Sequence, residues 1–298
     1  MDYDSIIASR CSDAWDVFFC TYVGYGTVVN NWYGEGLYSG GGYTAPDIGI
    51  PGGGYLAPGM ALNGAFGGLP IGVPTSGKQR YIVSAGAWAT ANSATPAFSA
   101  LMFYDLLWWM HFDTCTSGTL TINSQTANAF GCLSRYTDGV GVKIAVASLA
   151  SIGSTPSNIQ VNYTNEAGNS GRNTVSQAMT PSAKFGQYMP SGARMWLPLQ
   201  AGDMGVQSIQ SLTLSAGMGG AGPLYANLQL IRPLFMIPFV HGYECHEVDI
   251  TRIPEGPILL PTDSLLAPTG GVGCIQVAGL MQLSATTNFH GMVRTVCL

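Results

Sequence analysis

From Lys78 onward the chain is dominated by a period of two. In NIQVNYTN, Ile159, Val161 and Tyr163 point one way while Gln160, Asn162 and Thr164 point the other, the pattern of a strand buried on one side. The same alternation predicts strands over 80–88, 100–110, 118–123, 142–148, 173–179, 210–215, 224–231, 234–240 and 274–284. Within 100–110, Phe103, Asp105, Leu107 and Trp109 share one face and Tyr104, Leu106 and Trp108 the other. Both faces are bulky and apolar, which predicts a central or interface strand in place of an open sugar platform. Thr137-Asp138-Gly139, Ala167 to Gly171 and Ala201-Gly202-Asp203 supply the turns between these runs, and turn-building is the expected job of Asp138 and Asp203.

Two N-terminal stretches follow other patterns. In residues 2–21, Ile6, Ile7, Cys11, Ala14, Trp15, Phe18 and Phe19 recur at three-to-four spacing, which predicts a short helix. From Tyr22 to Ser76, glycine and proline are too dense for long regular elements, yet the aromatic and aliphatic content is too high for a solvated linker. An extended arm lying on protein surfaces, its own or a neighbour's, satisfies both constraints. The expected organisation is a helix and Gly/Pro-rich arm over 1–77, followed over 78–298 by an all-β, jelly-roll-like antiparallel sandwich. The expected interface side chains are Trp15, Phe18, Phe19, Trp32, Tyr33, Tyr38, Tyr43 and Tyr55.

Composition supports that layout. The 298 residues include five Glu and three Lys, so surface helices lack their usual formers. Charged residues make up only 9% of the chain against 47% apolar, with 11 basic and 16 acidic side chains and a net charge of -5. Such a balance supplies no footprint for a phosphate backbone, so direct nucleic-acid binding is not expected. So little charge also predicts surface hidden in subunit contacts. The longest apolar runs, 101–110 and 230–240, are interrupted by Asp105 and by Arg232 with two prolines, so no membrane span is expected. The opening MDYDSIIASR has no signal-peptide pattern, which predicts synthesis in the cytoplasm. Seven scattered cysteines without a C-x-x-C pair read as reduced thiols.

Candidate chemistry is sparse. HGYECHEVDI places His241, Cys245, Glu247 and Asp249 on one strand face and Glu244 with His246 on the other, too few ligands on either side for a closed metal site. His111 and His290 are not tied to it by any motif. Gly72 to Lys78 has the G-x-x-x-x-G-K skeleton of a phosphate loop, but Gln79 replaces the magnesium-binding hydroxyl and a strand, not a helix, follows. Glu244, Glu247, Asp249 and Glu255 are the only acids clustered enough for glycoside chemistry, and no G-x-S-x-G elbow occurs. The expectation is a non-enzymatic protein without a cofactor or metal.

Three segments, SRYTDGVGVKIAVAS (134–148), QVNYTNEAGNSGR (160–172) and MWLPLQAGDMGVQSIQSLTLSAG (195–217), resemble structural proteins of tailed bacteriophages. In those proteins a RYTDGVGV strand, a YTNQAG hairpin and an LPLQAGDTGV turn recur. The likeness spans roughly Lys78 to Val240, with Met204 a departure in the turn. It implies a virion protein, associated with the head, and carries over no catalytic residues. On this reading the chain is a decoration or minor head protein that forms a homo-oligomer, a trimer for instance. It stabilises the shell through its arm, with the major capsid protein as partner. The alternative is a tail, neck or fibre component that binds a receptor or carbohydrate.

Overall fold

The structure is a computed structural model, and it describes residues 15–23, 31–34, 78–91, 98–122, 133, 136–148, 151–183, 186–192, 194–219, 225–240, 246–249, 258–260, 275–281 and 287–298. Every regular element among them is a β-strand. In chain order these are β1 (Trp15–Val23), β2 (Asn31–Gly34), β3 (Arg80–Ala91), β4 (Phe98–Asp113), β5 (Gly118–Thr121), β6 (Lys143–Ser148), β7 (Asn158–Asn165) and β8 (Arg172–Asn173). They continue as β9 (Gln177–Ala178), β10 (Val206–Leu214), β11 (Tyr225–Val240), β12 (His246–Asp249), β13 (Ile258–Leu260), β14 (Ile275–Met281) and β15 (Thr287–Cys297).

All pairings are antiparallel, and they form three five-stranded sheets. The first sheet has the order β1-β15-β3-β12, with β13 also on β3. The second runs β5-β10-β7-β8, with β9 also on β7. The third, central sheet runs β2-β14-β4-β11-β6. Spatial neighbours are seldom sequence neighbours: β15 lies between β1 and β3, and β14 between β2 and β4. Such crossings between packed antiparallel sheets make the fold an all-β, jelly-roll-like sandwich, as the alternation predicted.

The main core lies between the central and second sheets. Ile159, Val161 and Tyr163 of β7 and Ile209, Leu212 and Leu214 of β10 face Trp108 and Phe112 of β4, Ile144 and Val146 of β6, and Leu228 and Leu230 of β11. The opposite face of the central sheet is also covered. There Tyr104, Leu106, Ala145 and Ala147 meet Trp32 of β2 and Tyr188 and Met195 from the segment between β9 and β10. Strand β4 is therefore central and buried on both sides, as its composition indicated.

Uniform alternation fails at one point on β4. The pairing with β11 shifts register between Trp108↔Leu230 and Leu106↔Ile231, so one extra residue is accommodated at Leu107. Trp108 consequently joins the main core and Leu106 the opposite cluster, although simple alternation put them together. A second shift near Pro233 lets β11 run unbroken where two strands were expected. A proline that lacks an N–H is tolerated where the ladder is already interrupted.

The helix expected over 2–21 is corrected over its described part. Trp15–Val23 is a strand, hydrogen-bonded along its whole length to β15. WDVFFCTYV is built of aromatic and β-branched residues that suit a pleated sheet, and the edge of β15 offers a full row of backbone partners. The partners came from the far end of the chain, so local spacing misled. Residues 2–14 of that expected helix lie outside the described residues. The sequence reading also did not anticipate β2, β13 or β15.

Candidate functional site

The three segments that carried the resemblance converge on one corner of the sandwich. The 136–142 loop bonds to the turn before β10: Val206 N donates to Gly139 O (3.0 Å), Gly141 N to Met204 O (3.2 Å) and Lys143 Nζ to Met204 O (3.1 Å). Glycine is required here by close backbone approach. A Cβ on Gly205 would strike the Gly139 carbonyl oxygen, and a Cβ on Gly139, whose φ is +72°, would lie 2.7 Å from the Val206 backbone. Gly141, with a φ of +74°, lies under the movable Arg232 guanidinium, which itself stands 5.2 Å over the Tyr136 ring.

Asp203 ties the third segment into this corner. Its carboxylate accepts from Tyr163 Oη (2.6 Å), Asn165 Nδ2 (2.9 Å) and both Arg172 Nε (3.0 Å) and Nη2 (2.9 Å). The Asp203 side chain is 3% exposed, and the bidentate arginine holds its carboxyl down at about 2. Burial, with the bond to that carboxylate, pushes the Tyr163 phenol up to about 12. The same hydroxyl accepts from Gln200 N (2.9 Å), so Tyr163 links β7 to the turn before β10. Gly205 N donates to Glu166 Oε2 (2.9 Å) and closes the ring of contacts. Asp203 does sit in a turn, and its work is to tie that turn to β7 and β8. Among the described residues of the corner, the Asp203 and Glu166 carboxylates and the Tyr163 hydroxyl are all engaged in hydrogen bonds that join segments, so chemically it is a clasp.

The other sequence candidates are dispersed. His246–Asp249 forms β12 on the flank of β3, where Glu247 pairs with Arg294 at 3.1 Å, both about two-fifths exposed. Exposed pairs of this kind contribute little. His241, Glu244, Cys245 and Glu255 lie outside the described residues, and among the described residues no three His, Cys, Asp or Glu side chains come together as metal ligands. His290 stacks on Trp88 at 5.4 Å, and burial lowers its pKa. Trp108, the conceivable sugar platform, is 2% exposed in the core. Of the phosphate-loop skeleton only Lys78 is described, and the strand β3 follows it.

Of the expected interface side chains, Trp15, Phe18 and Phe19 lie on β1 and Trp32 and Tyr33 on β2. Tyr38, Tyr43 and Tyr55 lie outside the described residues. Trp32 is brought to a feature that the sequence did not disclose, an open groove of about 480 Å³ on the outer face of the central sheet. Its apolar walls are Trp32, Met102, Met195, Trp196 and Met236, and Arg194 stands at its rim. Met102 and Met236 are direct cross-strand partners on β4 and β11, and Met236 is 43% exposed. Residues from four separate stretches build the groove, so no local motif announces it.

No protein-family model matches the sequence, and no curated protein does. Solved structures from infectious bursal disease virus align over 96% of the chain. The structure of its Gx strain gives 7% identity and a TM-score of 0.19 over 80% of that chain. Its VP2 subviral particle gives 8% and 0.18 over 81%, and its T=1 particles give 8% and 0.20 over 78%. At these scores the alignments add nothing to the architecture, which rests on the strand order and burial above. The affiliation with tailed bacteriophages is corrected: the viral structures found belong to infectious bursal disease virus, and no family model links the chain to phage proteins. The physical reason lies in the corner. RYTDGVGV, YTNEAG and LPLQAGDMGV are bound to one another by glycine contacts and hydrogen bonds, so what they specify is the packing of a sandwich corner.

Proposed function

We propose that the chain is a non-enzymatic structural protein of a virus particle, working through contacts with its own copies and with other virion proteins. The observation that carries this reading is how little charge is left for solvent. Only 9% of the residues are charged. Among the described ones Arg80 and Asp105 are buried, and Asp203 is held by Arg172. A surface this neutral suits protein neighbours better than bulk water. The virus-particle structures found by alignment are what the chain is compared with, and they carry no weight in this choice.

The finer role is a shell-decorating or minor shell component. Strands β1 and β2 anchor the N-terminal region by pairing with β15 and β14. The Gly/Pro-rich stretch before Lys78 is proposed as the arm that reaches neighbouring subunits, with the sandwich from Lys78 as the body. Sedimentation of the purified chain should show a defined oligomer, and immunogold labelling of intact particles of the virus that encodes it should mark the shell. A monomer at all concentrations together with unlabelled particles would overturn the proposal.

A further inference from the structure

We infer that the groove on the central sheet receives the arm of a second copy of this chain, with Asp47 of that arm meeting Arg194. This rests on the oligomeric reading above and names the contact that makes the oligomer.

The groove is suited to side chains from another protein. Tryptophan, methionine and arginine are the residues enriched where interfaces bury most, and methionine adapts its shape to what enters. Its walls are apolar, and Arg194 is exposed, donating one hydrogen bond to Gln177 Oε1 (3.3 Å). No carboxylate is among the described residues lining it. An occupant should therefore carry bulky apolar side chains around a single acid.

The arm has that composition. Residues 35–77 contain no Lys or Arg, and their only acids are Glu35 and Asp47. Asp47 stands in YTAPDIGIPGGGY, with Tyr43 before it and Ile48, Ile50 and Tyr55 after it. Glycine and proline on both sides favour an extended backbone that lies close to a surface. From the end of β2 at Gly34 to Asp47, a fully extended chain spans at most roughly 40 Å. The charge and apolar content of the arm thus match the groove.

The test uses the full-length chain. Co-expressing an Ile48→Cys protein with a Met236→Cys protein should give a disulfide between the two chains, identified by mass spectrometry of the linked peptides. Each single variant expressed alone controls for the native cysteines. Arg194→Glu should weaken self-association at least tenfold, and adding Asp47→Arg on the same chain should restore most of it. If the oligomer persists with no mixed disulfide and Arg194→Glu leaves it unchanged, the groove assignment is overturned while the structural role stands. A link found only within one chain carrying both cysteines would overturn the second-copy occupant. A wild-type chain that never self-associates would remove the oligomeric reading as well.

Discussion

The corner around Asp203 and the groove around Trp32 lie on one sandwich and are built on opposite principles. At the corner, three loops are fixed by directional bonds and by glycines that leave no room for a methyl group. At the groove, side chains from β2, β4, β11 and residues 194–198 form mostly apolar walls with space between them. The corner has one solution, and its sequence is correspondingly dense in glycine, aspartate and asparagine. A clasp that fixes the body and an open apolar groove are thus two different uses of the same sheets.

The sharpest way to break this contrast is at Gly205. Gly205→Ala forces a Cβ into the Gly139 carbonyl oxygen, and since both are backbone the loops must separate. We expect a loss of about 3 kcal/mol or more in urea unfolding. A variant as stable as the parent would show that the corner yields as easily as the groove. Next comes the carboxylate. Asp203→Ala leaves the Tyr163 hydroxyl and Asn165 amide without their acceptor, at a cost on the order of 2 kcal/mol.

The same clasp sets pH limits. The Asp203 carboxyl lies near 2 when folded, below its ordinary 3.8, so its contribution is present above pH 4 and fades as pH falls toward 2. Tyr163 is raised from 10.0 to about 12, so its contribution is full below pH 10 and is lost as pH rises toward 12. In the parent, Tm should fall as pH drops from 4 toward 2 and again as it rises from 10 toward 12. In Asp203→Ala the acid limb should be shallower; an identical acid limb would remove Asp203 from the account.

The smallest effect is expected at the groove. Met236 is 43% exposed, so Met236→Ser should change the unfolding free energy by less than about 0.5 kcal/mol. Its effect should appear in self-association instead. A large loss of stability would mean that the groove belongs to the core.

The difference between the two regions also decides what could be read from sequence. Alternation in Ile159, Val161 and Tyr163 reflects burial of one face, a local property, so β7 and most of its fellows were legible. The turns at Gly139, Gly168 and Gly202 were legible for the same reason, as each has a positive φ that glycine supplies. Asp203 was read as a turn residue because its partners Tyr163, Asn165 and Arg172 lie 31 to 40 residues away. Trp15–Val23 was misread because its pairing partner is β15, and the bulge at Leu107 has no local signal. The groove was invisible because Trp32, Met102, Met195 and Met236 share no spacing.

The pairing of β15 with both β1 and β3 has a consequence for the order of events during synthesis. Residues 287–297 hold together two strands made long before them, and Leu298 exchanges backbone bonds with Gln79. A ribosome must therefore deliver nearly the whole described chain before the first sheet can close, whereas β7 to β10 can assemble from what is already at hand. Until then β1 and β3 leave the exit tunnel with unpaired edges and apolar side chains, in a window when chaperones or nascent sister chains can capture them. Production of this protein should accordingly depend on translation speed and holdase supply more than on the stability of the finished fold.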